Sequence, residues 1–261
     1  MTALEHGGHL DSHDSEGWTP LHRAIQEEMD KLALRLLHAG VDVNATDHYL
    51  WTPLHWATVR GNHPLVLMLV EHGAKVDATD LDLETPLHWA ASWNHVEVAR
   101  TLLSHGADIE ARDRYGDTPF YQACQEGNLE VATLLLANGA RWDIVNLEGN
   151  QPLHCAIFFG HDAITSLLIA KGTNVNARTP TGRPPLHLAV ERNSLGLISQ
   201  LLRAGADPAL ADQEGETASA LALRLDLGHL VPLLEEHDAL RAKKSKAKSK
   251  TLGASPPNPH W

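Results

Sequence analysis

A period of 33 residues constrains this chain more than any other feature. Thr-Pro occurs at 19, 52, 85 and 118. The same step then lands on Gln151-Pro152, Pro184-Pro185 and Thr217-Ala218. Two positions in the period never change. One holds Ala24, Ala57, Ala90, Ala123, Ala156, Ala189 and Ala222. The other holds Leu36, Leu69, Leu102, Leu135, Leu168, Leu201 and Leu234. Seven units share one register without an insertion, so the fold must be an array of one small unit.

Each unit reads as two helices and a turn. Thr is a good N-cap, and Pro suits the first helical position, where its missing N–H costs nothing. A short first helix follows, as in TPLHWAAS at 85–92, and its alanine permits close approach of a neighbour. The second helix carries apolar residues at helical spacing, as in Val98, Leu102 and Leu103. It stops at Gly40, Gly73, Gly106, Gly139, Gly172 or Gly205, where a left-handed residue is wanted. A polar turn, often Asp-x-x-Gly as in Asp113 to Gly116, leads to the next unit. One helix pair cannot bury its own apolar faces, but a stack of seven can.

Several segments resemble ankyrin repeats: TPLHWA at 52–57 and 85–90, HGADIEARDRYGDTP at 105–119 and AGADPALADQEGET at 204–217. The resemblance implies an all-α solenoid of stacked helix-turn-helix units with short, β-hairpin-like loops. It covers roughly residues 14–238. His6-Gly7 and Asp14 lie 99 residues before His105-Gly106 and Asp113, so residues 1–13 read as the tail of a preceding, truncated repeat. Residues 14–240 form the repeat domain and 241–261 a disordered basic tail. The last repeat departs most, with Glu236, His237 and Asp238 for Gly-Ala-Asp and Ser219-Ala220 for Leu-His, as suits a polar cap. Leu50 and Leu83 replace the glycine found at Gly17, Gly116, Gly149, Gly182 and Gly215, so distorted turns are expected there.

Composition narrows the function. The chain has 261 residues, 43% hydrophobic, with a formal net charge of −12. Six of the 21 basic residues lie in 241–261, leaving 15 against all 33 acids in residues 1–240. Such a body does not wrap nucleic acid. Two cysteines make no disulfide framework, no apolar run approaches a membrane span, and the N-terminus lacks signal-peptide character. A cytoplasmic monomer is expected, with a nuclear location allowed by the tail RAKKSKAKSK. That tail is also a candidate for weak contact with nucleic acid or an anionic surface.

Eighteen histidines invite a metal reading. However, His22, His55, His88, His154 and His187 recur at one repeat position, with Tyr121 in the sixth place. The resemblance implies that these rings bond backbone and tie neighbouring turns. A ladder diverges along a stack, whereas metal ligands converge. No nucleophile, phosphate-loop or dinucleotide motif is present, and Cys124 and Cys155 read as core thiols. Neither an enzyme nor a cofactor, small-molecule or metal, is expected.

The aromatic residues suggest binding instead. Trp56 and Trp89 align with Leu188 and Leu221, and Trp142 with Val43, Val76, Ile109 and Val175, so these three are assigned to the core. In proteins of the resembling family, turn tips and first-helix ends form a concave, partner-facing surface. Mapped onto this chain, that surface holds Trp18, Tyr49, Trp51, Arg60, Trp93, Arg112, Arg114, Tyr115, Phe158 and Phe159, with His48 and Arg178 nearby. Aromatic and Arg residues are common interface anchors. Acids are interspersed, among them Asp82, Glu84 and Asp117, so a partner segment with apolar and basic residues fits. Trp18 and Trp51 are the members most apt to pack between turns instead. The expected function is a non-catalytic protein-interaction module. The alternatives are a stoichiometric inhibitor or antitoxin-like regulator of an enzyme, and an adaptor or scaffold in a larger complex. LLHAGVDVN at 36–44 is similar to the pattern at which ankyrin repeats are hydroxylated on Asn, although Asn44 reads first as a turn residue.

Overall fold

The computed structural model describes residues 10–239. His6, Gly7 and the basic tail lie outside them. Two compact units divide between Ile164 and Thr165.

The first unit contains α1 (Pro20–Gln26), α2 (Asp30–His38), α3 (Pro53–Val59), α4 (His63–Glu71), α5 (Pro86–Ser92), α6 (Val96–Ser104), α7 (Pro119–Glu126), α8 (Leu129–Ala137) and α9 (Pro152–Phe159). Helix α10 (Asp162–Ala170) spans the division. The second unit holds α11 (Pro185–Glu191), α12 (Leu195–Arg203), α13 (Ala218–Arg224), a 3-10 turn at Gly228–Leu230 and α14 over 231–239. Within the first unit, α1, α3, α5, α7 and α9 pack in succession, and so do α2, α4, α6 and α8. In the second unit α11 packs on α12 and α13.

The periodic residues explain this stacking. All seven periodic alanines and all seven periodic leucines are at most 2% exposed. The alanines let adjacent first helices close up, and the leucines fill the space beneath them. Thr19, Thr52, Thr118 and Thr217 cap their helices through the side-chain oxygen, with Pro following the first three. The second helices α2, α4, α6, α8, α10 and α12 end on left-handed glycine. At α6 the Gly106 N–H bonds Leu103 O (3.1 Å) and the Ala107 N–H bonds Leu102 O (3.0 Å). These two bonds satisfy carbonyls that the helix leaves open.

Three sequence expectations need correction. Leu50 and Leu83 do not distort their turns. They adopt φ of 61° and 62°, and their N–H groups still bond Asp47 O (3.0 Å) and Asp80 O (3.1 Å). The backbone keeps the glycine geometry and each leucine carries the strain, about 1–2 kcal/mol for a left-handed residue with a Cβ. Trp142 is half-buried rather than in the core. Trp56 and Trp89 are half-buried too; their surroundings follow below. The loops are hydrogen-bonded turns, and among the described residues the β pairing outside them is one bridge, Ala211 with Thr217.

Candidate functional site

The histidine ladder is structural. In α1 the Thr19 N–H donates to His22 Nδ1 (3.1 Å), so Nδ1 carries no proton. The Nε2–H is then free to donate to Trp51 O of the next repeat (3.1 Å). His55 and His88 repeat this, bonding Thr52 and Glu84 O (3.3 Å), and Thr85 and Asp117 O (3.1 Å). His187 reaches Glu216 O (2.8 Å) in the second unit. Burial lowers the His22 and His88 pKa values and brings His55 down to about 4, as a neutral ring requires.

A second ladder escaped the sequence reading. His95 Nε2 donates to Val59 O (3.0 Å) and His161 Nε2 to Gln125 O (2.7 Å). Asn128 bonds Ala91 O and Ser92 O, both at 2.8 Å. These side chains fill the space where Gly61 and Gly127 would carry a Cβ, only 2.6 Å from His95 and 2.4 Å from His161. A histidine 34 residues after the glycine that follows a first helix was the available signal. Asn44 has a similar role: its Oδ1 accepts from Lys75 N–H (2.8 Å) and its Nδ2 donates to Gly73 O (3.1 Å).

The turns are held by their aspartates. Asp47 Oδ1 accepts the N–H groups of Tyr49 and Trp51, both at 2.9 Å. Its Oδ2 accepts the indole N–H of Trp56, nine residues on (3.1 Å). Asp80 does the same with Asp82, Glu84 and the indole of Trp89 (3.2 Å). Asp14 holds Arg23 Nε at this position (2.8 Å) and Asp113 holds Gln122 Nε2 (3.3 Å). An indole N–H needs a partner, and the turn carboxylate supplies it at the mouth of the repeat, outside the core. That is why Trp56 and Trp89 lie where they do.

Four of the seven tryptophans, Trp18, Trp51, Trp56 and Trp89, form one cluster. Trp51 lies 5.0 Å from Trp56 and 4.8 Å from Trp89, both tilted by 58°. Trp18 meets Trp56 edge-on at 5.0 Å, and the Arg23 guanidinium sits over Trp18 at 4.7 Å. With Tyr49, Leu81, Glu16, Asp80, Asp82 and Glu84, these four indoles line a concavity of about 340 Å³. Burial pushes the Glu84 carboxyl up to about 7. The Gln122 amide at 2.6 Å opposes that shift, and Asp80, Asp113 and Asp82 add to it.

Of the ten sequence-expected residues, the concavity gathers Trp18, Tyr49 and Trp51. The others lie elsewhere. Arg60 pairs with Glu28 (2.9 Å). Arg114 pairs with Asp82, and Arg112 staples the turns by donating to Gly116 O (3.3 Å) and Val145 O (3.2 Å). Trp93, Tyr115, Phe158 and Phe159 are exposed, the two phenylalanines meeting edge-on at 5.1 Å. Cys124 and Cys155 are buried, and burial raises both thiols, Cys155 to about 12. In the second unit Asp212, Glu214 and Glu216 converge, but Glu216 is held by Arg224 through two 2.8 Å bonds. No helix among the described residues is long and apolar enough to cross a membrane.

Comparison with known proteins agrees with this architecture. A family model described as ankyrin repeats in three copies matches residues 32–113 and 110–179, and a single ankyrin repeat model matches 181–213. The chain belongs to the ankyrin repeat family, an all-α solenoid of stacked helix pairs, and its fold is one used for protein–protein interaction. Among solved structures it is similar to the ankyrin repeat domain of Bcl-3, described as a unique member of the IkappaB protein family. The two share 30% identity and a TM-score of 0.73, over 84% of this chain and 100% of that one. No curated protein matches the chain in sequence.

Proposed function

We propose that the chain is a non-catalytic binding module whose protein partner docks on the turn-tip and first-helix face of the first unit, with the tryptophan concavity as its anchor. One observation carries this reading. Leu50 and Leu83 hold left-handed turns that glycine would form without strain, and both side chains remain exposed at 42% and 49%. Strain retained together with exposed apolar surface points to use at that place, because folding alone favours glycine there. Tyr49 (64% exposed) and Leu81 extend the same apolar rim. The stacked repeats supply rigidity, so little ordering is needed on this side of a complex.

Partner capture with the Trp51→Ala/Trp93→Ala double variant, checked by circular dichroism to retain its helices, tests this. Loss of a specific partner is expected. An unchanged partner set from a folded variant would refute the assignment.

A further inference from the structure

The chemistry of the concavity narrows what enters it. Its lining combines indoles and a phenol with carboxylates, and it holds no Lys or Arg. Aromatic faces carry negative potential and attract cations. The cluster already shows this, since a guanidinium sits 4.7 Å over Trp18. The rings touch one another at 4.8–5.0 Å, tilted by 58–68°, and stay only half-buried, so together they form one continuous aromatic wall of the concavity. At about 340 Å³ it falls within the usual range of small-group sites, about 300–1,000 Å³.

The kind of cation follows from the balance of acceptors and aromatic surface. Asp80 spends Oδ1 on two backbone N–H groups and Oδ2 on the Trp89 indole. Asp82 is paired with Arg114. Glu84 accepts from Gln122. A guanidinium needs acceptors for five N–H groups and a primary ammonium for three; the acceptors still open here are the Glu16 carboxylate and one oxygen each of Asp82 and Glu84, beside five aromatic rings. A methylated ammonium has one N–H or none, and a diffuse positive charge that aromatic surface stabilises.

We infer that the Trp51 concavity takes a di- or trimethylated lysine side chain of the partner protein, with Trp18, Trp51, Trp56 and Trp89 as its aromatic wall and Glu84 as its counter-charge. This rests on the docking face proposed above and names the chemistry at its centre.

Glu84 adds a second signature. A cation beside it favours the ionised carboxylate, so binding tightens as pH rises through 7. The charged and polar groups around it are Asp80, Asp82 with its partner Arg114, Asp113 and the Gln122 amide. The His55 ring is engaged by Glu84 O and stays neutral.

The test uses the full chain and three capped single-residue probes: trimethyl-lysine, unmodified lysine and the neutral tert-butyl carbon analogue of trimethyl-lysine. Binding is read by tryptophan fluorescence and calorimetry at pH 6 and pH 8. Trimethyl-lysine is expected to bind about tenfold tighter than either comparator, and tighter at pH 8. Trp51→Ala is expected to abolish the preference. Glu84→Gln, which keeps the hydrogen-bonding shape, is expected to weaken binding about threefold and remove the pH dependence. Equal binding of the neutral analogue would overturn the inference, as would no binding of trimethyl-lysine or an unaffected Glu84→Gln. If these probes fail while partner capture still depends on Trp51, the docking face stands and this chemistry for it falls.

Discussion

One repeat position is used in two ways. Nine residues after the turn aspartate, the second and third repeats carry Trp56 and Trp89, half-exposed and bonded to Asp47 and Asp80. The sixth and seventh repeats, in the other unit, carry Leu188 and Leu221, exposed by 8% and 1%. The backbone slot is the same. Leucine has nothing to offer at the mouth of the turn and packs inward. Tryptophan has an N–H to satisfy, and the carboxylate at the rim draws it outward. The turns preceding these positions differ as well. The second and third repeats hold strained Leu50 and Leu83, while the sixth and seventh hold Gly182 and Gly215. At this turn position, left-handed strain and exposed apolar surface thus coincide in the tryptophan-bearing repeats.

The largest effect should fall where the two regions are alike. Leu135 and Leu201 are both fully buried at the invariant position. Leu135→Ala and Leu201→Ala are each expected to cost about 2–5 kcal/mol in urea unfolding. A cost well below that at one of them would show that the core is not shared.

Acid should separate the regions next. His55 is held near 4 against its ordinary 6.5, and His22 and His88 are lowered too. The unfolded chain takes up protons that the folded ladder refuses, so stability is lost as pH falls from 6.5 toward 4. His55 alone contributes roughly 2–3 kcal/mol to that loss. Glu84 and Asp117 act in the opposite sense, because burial raises both to about 7 and the fold binds their protons first. Glu84→Gln should therefore stabilise the chain more at pH 8 than at pH 5, as read from the urea midpoint at each pH.

Replacing one usage by the other is expected to change stability less than binding. Trp56→Leu installs the residue that other repeats use. It should alter stability by about 1 kcal/mol or less, yet weaken capture of a partner about tenfold. A loss of several kcal/mol would place Trp56 in the core after all. The smallest effect belongs to the turns. Leu50→Gly or Leu83→Gly relieves the left-handed strain but loosens the unfolded chain, for a net gain of up to about 1 kcal/mol. Thermal unfolding checks this, and a net destabilisation would contradict it.

Most of the fold was legible in the sequence because the repeat averages over local ambiguity. Seven copies of one alanine and one leucine leave little choice of core, and Thr-Pro marks each helix start. The histidine ladder followed from the family resemblance, whereas the His95–His161 ladder did not, since its bonds run backward to the preceding repeat. The site was legible in part. Trp18, Tyr49 and Trp51, expected on the partner-facing surface, line the tryptophan concavity, whereas analogy with leucine puts Trp56 and Trp89 in the core. Alignment of position carries no account of an indole N–H, and the carboxylate nine residues earlier was the missing term. Arg112 fits the pattern of an exposed anchor, but its guanidinium is committed to carbonyls of two successive turns.

The central claim is that the tryptophan face is the working surface. Parallel partner capture by wild type, Trp51→Ala/Trp93→Ala and a control on the second helices, Glu97→Ala/Arg100→Ala, addresses it most directly, with unfolding midpoints matched beforehand. A partner held by wild type and by the control but lost by the tryptophan variant is the result this account predicts. A partner retained by the tryptophan variant and lost by the control would move function to the second helices and contradict it.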